Sequence, residues 1–298
     1  MPTDRLPSPP LAPPPLQAGV SAENAARLSA ALCAVQLAAQ ETLRWFNASA
    51  LIVTAKSDQS PVTQADHGAE AILRRELLRA FPQDSFLGEE SGSVQGTSGY
   101  QWIVDPIDGT KSFIRGVPLY ATLVGCRCEG QGVLGVIALP ALEKLVYAAA
   151  NGGAWYSSGN QAPMPARVST RTTLSQSLLC TSDFTSFARR RADKSSTPDG
   201  QDGGKAGTAV RQRLEEACLV SRSWGDGYGY FLVATGHAEV MIDPLMNAWD
   251  AAAVETVITE AGGRFSDWQG RGRIDSGEGL ATNSLVHEEV LQLLHESG

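Results

Sequence analysis

Apolar residues recur every three to four positions in three segments, which is the spacing of an amphipathic helix. The first segment follows Ser21, a favoured N-cap residue, and its apolar positions are Leu28, Leu32, Val35, Ala39, Leu43 and Phe46. The second starts near Asp66, stops before Pro82 and carries Ala69, Ile72, Leu73, Leu77 and Ala80. The third runs from about Trp249 to Ala261, where Gly262 and Gly263 supply a left-handed terminator. These patterns predict three helices.

Shorter apolar runs bounded by turn residues predict strands at 101–105, 119–128, 133–139, 144–149 and 239–243. Pro140 separates the third run from the fourth, so these two form a predicted hairpin. Helices come first, then antiparallel-looking strands, then alternating elements. This order predicts an α+β or α/β layered sandwich rather than one doubly wound sheet. We expect an N-terminal α+β half over 21–150 and a C-terminal α/β half over 151–298.

Two segments lack such periodicity. Residues 1–20 contain seven of the 16 prolines, a composition that favours extended polyproline structure and cannot build a core, so we expect a disordered tail. Residues 189–208 begin with three arginines and continue with Ser, Asp, Gly and Lys. This composition predicts a flexible surface insertion.

Composition narrows the class of protein. The net charge of −8 and the pI near 5.1 argue against nucleic acid and anionic membranes as partners, since both require clustered positive charge. No uninterrupted apolar stretch approaches the length that spans a bilayer. The five cysteines are an odd number without the spacing of a disulfide framework. Together these features predict a soluble protein of the cytoplasm.

The candidate chemistry lies in acidic residues at the ends of elements. An apolar strand runs into Asp105-Pro-Ile-Asp108-Gly-Thr110, so two carboxylates share one turn. Two such groups repel each other unless a cation lies between them, and hard oxygen ligands favour Mg²⁺ or Ca²⁺. Gly88-Glu89-Glu90-Ser91 lies upstream, and Asp250 opens the third predicted helix. Exposed N–H groups near Gly109 and Thr110 could hold phosphate oxygens.

Two other interpretations compete with a metal site. Asp and Gly also gather at the ends of strands simply because they form turns. A phosphatase that forms a phospho-aspartate often has an apolar strand followed by Asp-x-Asp-Gly-Thr. Here the segment is one residue longer and Pro106 stands in the place of the nucleophile, which argues against a covalent aspartyl mechanism.

The ordered motifs at 105–110, 88–91 and 249–263 resemble those of the inositol-monophosphatase superfamily. The resemblance covers roughly residues 21–298 and implies an αβαβα layered fold, a homodimer, and a lithium-sensitive phosphatase with two or three Mg²⁺ ions per site. The metal ligands that it implies are Glu89, Asp105, the Ile107 carbonyl, Asp108 and Asp250. It further implies that Thr110 and Glu89 orient the attacking water, that Asp66 supports Thr110, and that Lys56 lies near the metals.

Two further segments resemble the histidinol-phosphatase branch of this superfamily: 223–230 (Ser-Trp-Gly-Asp-Gly-Tyr-Gly-Tyr) and 241–250 (Met-Ile-Asp-Pro-Leu-Met-Asn-Ala-Trp-Asp). Inositol-type members usually carry Ser or Ala where this chain has Asp226. A carboxylate there suits a substrate with an ammonium or imidazolium group better than an uncharged polyol. Asp243 stands where the family has an acid that contacts the organic part of the substrate. Gly227 departs from the branch, in which a cysteine is common.

The resemblance therefore implies a phosphoric monoester hydrolase acting on a small substrate, L-histidinol phosphate. The substrate-binding residues that it implies are Gly109, Thr110, Asp226, Asp243 and Asp250. Inositol 1-phosphate or a related sugar phosphate is the alternative substrate. A catalytically silent protein that binds metal or phosphate for regulation is an alternative of another class.

Overall fold

The computed structural model describes residues 19–190 and 201–296, with the side chains of 201–204 left aside. The described chain contains eight α-helices, three of which match the predicted ones. Their bounds are α1 (Ala22–Trp45), α2 (Gln64–Ala80), α3 (Thr110–Ile114), α4 (Ser186–Arg189), α5 (Gln201–Ala217), α6 (Asp226–Ala234), α7 (Ala248–Glu260) and α8 (His287–His295). Among these described helices, none has both the length and the apolar character needed to cross a bilayer.

The strands form a large sheet, a smaller sheet and one hairpin. The hairpin pairs β1 (Val53–Ala55) with β2 (Pro61–Thr63). The large sheet contains β3 (Ser85–Gly88), β4 (Gly92–Val94), β5 (Tyr100–Asp108), β6 (Ala121–Cys128), β7 (Gln131–Leu139), β8 (Lys144–Ala149), β9 (Ala154–Ser158) and β10 (Met164–Ala166), in the order β10-β9-β8-β7-β6-β5-β3-β4. The smaller sheet contains β11 (Leu178–Cys180), β12 (Val220–Arg222), β13 (Val240–Asp243), β14 (Arg264–Ser266) and β15 (Gly279–Thr282), in the order β12-β11-β13-β15-β14.

Because successive side chains of a strand point to opposite faces of the sheet, the two faces of each sheet pack into different hydrophobic cores. On the large sheet, Val124 packs with α1 and α2, whereas Leu123 packs with α6 and α7. On the smaller sheet, Met241 faces that same α6–α7 core, whereas Ile242 faces α5 and α8. The layers therefore run α1/α2, large sheet, α6/α7, small sheet, α5/α8. This order confirms the predicted αβαβα sandwich.

Local sequence signals explain where α1 and α2 begin. The Ser21 side chain accepts a hydrogen bond from the Asn24 N–H, as expected for an N-cap. Thr63 and Asp66 form a capping box at the start of α2. The predicted tail over 1–20 lies outside the described residues apart from Gly19 and Val20, and Val20 packs against the α1/α2 core.

Two predicted boundaries differ from the observed elements. The division at 150/151 falls inside the large sheet, which continues to Ala166 because β9 pairs with β8 and β10 with β9. Of the predicted insertion over 189–208, residues 191–200 lie outside the described part. Residues 201–208 are the start of α5 and not a loop. This helix is stabilised by tertiary packing, since Val210 and Leu214 are buried in the α5/α8 core.

Candidate active site

The end of β5 and the turn after it present two carboxylates. The pairing of β5 with β6 is irregular between Asp105 and Asp108, and the Ile107 N–H donates to Asp105 Oδ1 at 3.0 Å. Gly109 follows with φ +87° and ψ +40°, a left-handed conformation that glycine adopts without strain. The chain can therefore turn sharply from β5 into α3, which leaves both carboxylates on the same side of the turn.

A third carboxylate reaches this turn from a distant part of the chain. Asp250 lies in the first turn of α7, where its Oδ2 accepts a hydrogen bond from the Asn247 N–H at 2.7 Å. One carboxylate oxygen from each of Asp105, Asp108 and Asp250 lies within 4.8 Å of the others. The structure thus brings three of the predicted metal ligands together.

The electrostatics of this trio (Asp105, Asp108 and Asp250) indicate a site for a cation. Burial raises the pKa of Asp105 well above its ordinary value, and the charges of Glu89, Asp108 and Asp250 raise it further. Burial and the charges of Asp226 and Asp250 do the same to Asp108. Burial, with the charges of Glu89 and Asp243, raises the pKa of Asp250 to about 7. Three carboxylates that are buried or half-buried and whose oxygens converge within 4.8 Å form a donor set that fits a hard divalent cation such as Mg²⁺.

Asp250 leads to a prediction about the stability of the metal-free protein. Its pKa is about 7 in the folded state against 3.8 ordinarily, so between these values the folded state holds more protons than the unfolded chain. The contribution to stability is fully present below the ordinary pKa and is lost as the pH rises through about 7. We expect the melting temperature in EDTA to fall as pH rises from about 5 to about 7.5, and to fall less in Asp250→Asn. A rise over that interval would contradict this assignment.

Thr110 and Asp66 meet beside the trio. The Thr110 hydroxyl lies 3.3 Å from Asp66 Oδ1 and 3.1 Å from the Ile107 carbonyl oxygen. The other oxygen of Asp66 accepts the backbone N–H of Thr63 at 2.8 Å and the Thr63 hydroxyl at 2.6 Å. Asp66 is therefore held in place by the cap of α2 and can in turn orient the Thr110 hydroxyl.

Glu89 stands apart from the trio. Its Oε1 lies 2.6 Å from Lys56 Nζ, which also lies 2.7 Å from Glu90 Oε1. Burial lowers the pKa of Lys56, but the hydrogen bonds to both glutamates raise it more, so the net direction is upward. Lys56 is therefore a fixed cation next to the acidic site, as the resemblance implied.

Asp226 and Asp243, the two predicted substrate carboxylates, have different surroundings. Asp226 begins α6 with φ +55°, and a Cβ added to Gly109 would lie 2.7 Å from its Oδ2, so this carboxylate lies directly against the turn after β5. Asp243 is 5% exposed, and its two oxygens accept the Ser182 N–H and the Tyr230 hydroxyl, each at 3.0 Å. Burial, followed by the charge of Asp243, raises the pKa of Asp226 to about 7. Only Asp226 reaches the turn.

Two residues near the site, Ser182 and Glu70, were not singled out from the sequence, and Gly227 was noted only as a departure from the histidinol-phosphatase branch. The Gly227 N–H donates to Asp108 Oδ2 at 2.6 Å, and the Ser182 hydroxyl accepts the Asp226 N–H at 2.8 Å. Glu70 accepts two backbone N–H groups of the loop that carries Glu89. Sequence spacing gave a signal for Glu70 alone, because it lies four positions after Asp66 on α2 and so shares its helix face.

Known proteins are similar to this chain along most of its length. Residues 24–298 match the model of the inositol monophosphatase family. Similar proteins include a histidinol-phosphatase of Chlorobaculum parvum, 40% identical over 86% of this chain and 91% of that protein, and one of Mycobacterium tuberculosis, 36% identical over 84% and 90%. An inositol-1-monophosphatase of Rhizobium meliloti is 32% identical over 82% of this chain and 86% of its own length.

Solved structures resemble the fold as a whole. The extragenic suppressor protein suhB of Bartonella henselae superposes with a TM-score of 0.78 and 26% identity, covering 92% of this chain and all of that one. An inositol monophosphatase from Zymomonas mobilis gives 0.74 and 27%, covering 93% of this chain and all of its own. With the layered fold and the acidic trio, these matches show that the chain belongs to the inositol monophosphatase family, a family of metal-dependent phosphomonoesterases.

Proposed function

We propose that this chain hydrolyses L-histidinol phosphate to L-histidinol and phosphate, a reaction of histidine biosynthesis. The observation that carries the proposal is the carboxylate of Asp226 lying against Gly109, beside the acidic trio. A substrate whose phosphate occupies the turn after β5 would place its organic part near a negative charge. The histidinol-phosphatases among the similar proteins, at 36% and 40% identity, support the same substrate.

We propose that Asp105, Asp108 and Asp250, with Glu89 and the Ile107 carbonyl, hold two or three Mg²⁺ ions. When bound, Mg²⁺ supplies Lewis-acid chemistry, which activates water and neutralises charge on the phosphate and the departing alkoxide. The chain's own contribution is to hold five oxygen donors close together, on side chains and a carbonyl that are buried or half-buried. The trio supports this assignment through its convergence within 4.8 Å and its raised pKa values.

In this mechanism the remaining residues orient the reactants. Thr110, with Glu89, positions the attacking water for in-line displacement at phosphorus, and Asp66 accepts the hydrogen bond that fixes the Thr110 hydroxyl. The N–H groups of Gly109 and Thr110 bind the non-bridging oxygens, on which negative charge grows in the transition state. No covalent intermediate forms, since water attacks phosphorus directly.

In this proposal the Asp226 carboxylate binds the cationic organic part of the substrate. Histidinol phosphate carries an ammonium group and an imidazole, whereas inositol phosphate carries only hydroxyls beyond its phosphate. An ammonium–carboxylate hydrogen bond contributes roughly 1.5–3 kcal/mol. Because Asp243 is buried with both oxygens occupied, we propose that it acts through its charge and through Ser182, whose hydroxyl accepts the Asp226 N–H.

The alternative substrate is inositol 1-phosphate or a related sugar phosphate. The relative from Rhizobium meliloti supports it, since an inositol-1-monophosphatase is 32% identical to this chain. Homodimers are typical of the family, and we propose a homodimer of the cytoplasm here as well.

Phosphate release from histidinol phosphate tests the proposal against a catalytically silent protein. We expect release that requires Mg²⁺, stops in EDTA, returns when Mg²⁺ is restored, and falls with lithium. No release from histidinol phosphate, inositol 1-phosphate or glycerol phosphate at saturating Mg²⁺ would favour the silent protein. Release that is unaffected by EDTA would contradict the metal mechanism.

A further inference from the structure

We propose that Glu70 is a positioning residue that sets the geometry of Glu89. Glu70 lies on α2, is 1% exposed and directs its carboxylate at the loop after β3. Its Oε2 accepts the Glu90 N–H at 2.7 Å and its Oε1 accepts the Ser91 N–H at 2.6 Å. The two residues that follow Glu89 are thus fixed through their backbone. The inference rests on the proposed role of Glu89 as a metal ligand.

Gly88, which precedes Glu89, lies directly against the Glu70 carboxylate. A Cβ added to Gly88 would lie 2.5 Å from Glu70 Cδ and 2.6 Å from both of its oxygens. Any side chain at position 88 would therefore displace Glu70 or the loop. Glu70 thus contacts the chain on both sides of Glu89, and this arrangement fixes where the Glu89 side chain leaves the backbone.

Packing alone does not fix this loop. A cavity of about 360 Å³ adjoins it, with Glu70, Glu90 and Ser91 in its wall. The loop is therefore open on one side, and the hydrogen bonds that its Glu90 and Ser91 N–H groups donate to the Glu70 carboxylate help to hold it. Lys56 contacts the side chains of Glu89 and Glu90 rather than the backbone that carries them.

Asp66 and Glu70 give α2 two functions at the site. The residues are four positions apart and so share one helix face. Asp66 contacts the Thr110 hydroxyl, and Glu70 contacts the loop of Glu89. One rigid helix therefore sets the positions of the two groups that we propose orient the attacking water.

The test is the Mg²⁺ affinity of Glu70→Gln, measured by titration calorimetry. Glutamine has nearly the same shape but one acceptor oxygen, so its NH₂ group would face one of the two backbone N–H donors. Substitution of a residue that orients a metal ligand typically lowers metal affinity about 10–100-fold. We therefore expect Glu70→Gln to bind Mg²⁺ at least about tenfold more weakly than the wild type. Glu260→Gln is the matched control, because Glu260 accepts the Asn151 and Gly153 N–H groups at 2.9 and 2.8 Å at another place.

We expect the melting temperatures of Glu70→Gln and Glu260→Gln to fall by comparable amounts. We expect the Mg²⁺ affinity to fall only in Glu70→Gln. Equal Mg²⁺ affinity in wild type and Glu70→Gln would overturn the inference, as would an equal loss in Glu260→Gln. Glu89→Gln separates this result from the proposed function. If Glu89→Gln also binds Mg²⁺ normally, the metal-ligand role of Glu89 fails; if it binds weakly while Glu70→Gln does not, only the positioning role fails.

Discussion

Asp105→Asn is expected to lower kcat by about 1,000-fold or more, which corresponds to roughly 4 kcal/mol of transition-state stabilisation. Asp105 is 3% exposed, belongs to the acidic trio and lies close to the charges of Glu89, Asp108 and Asp250. An amide has the same shape but no charge to neutralise a divalent cation. Steady-state release of phosphate from histidinol phosphate at saturating Mg²⁺ measures the effect.

The stability of the same variant separates lost chemistry from misfolding. Because burial and neighbouring charges raise the pKa of Asp105, its ionised form disfavours the folded metal-free protein. We therefore expect the melting temperature of Asp105→Asn in EDTA at neutral pH to equal or exceed that of the wild type. Near-normal turnover in a folded Asp105→Asn protein would show that Asp105 is not a metal ligand required for catalysis.

Asp226→Asn is expected to lower kcat/KM for histidinol phosphate by about tenfold to a hundredfold and to leave kcat/KM for inositol 1-phosphate nearly unchanged. The range follows from the charge-assisted hydrogen bond that would be lost. Asparagine is the informative substitution because residue 226 has φ +55°, a conformation that asparagine tolerates. The measurement compares kcat/KM for both substrates at about pH 7.5, above the pKa of about 7 that burial gives Asp226.

Asp226→Ala serves as the companion variant, since alanine removes the charge and also strains the left-handed backbone. Asp226→Ala could lower kcat/KM for both substrates while Asp226→Asn lowers it only for histidinol phosphate. In that case Asp226 both shapes the turn and binds the cationic group of the substrate. An equal loss for both substrates in Asp226→Asn would show that Asp226 holds the turn against Gly109 and does not select the substrate.

Features that depend on local sequence were predicted well. The cap at Ser21 and the terminator at Gly262 depend on neighbouring residues and were predicted, whereas α2 begins two residues before the predicted start near Asp66, after a capping box at Thr63 that was not predicted. The convergence of Asp105, Asp108 and Asp250 was implied by the resemblance to the inositol-monophosphatase superfamily and is seen in the geometry. Their roles toward a metal stay predictions.

Three features that depend on tertiary contacts were not predictable from the sequence. Residues 201–208 contain three glycines, which disfavour a helix, and α5 forms because its apolar face is buried against the small sheet and α8. Gly207 lies where a Cβ would be 1.9 Å from the Phe187 carbonyl oxygen, a close approach that no sequence pattern indicates. The contact of Gly227 with Asp108 joins residues 119 positions apart, and only the fold brings them together.

The most direct test of the proposed function is the wild-type ratio of kcat/KM for histidinol phosphate to that for inositol 1-phosphate, measured side by side at saturating Mg²⁺. One ammonium–carboxylate contact at Asp226 predicts a ratio of at least about ten in favour of histidinol phosphate. A ratio below one would contradict the account: the chain would remain a phosphomonoesterase of its family, but Asp226 would not be reading a cationic substrate.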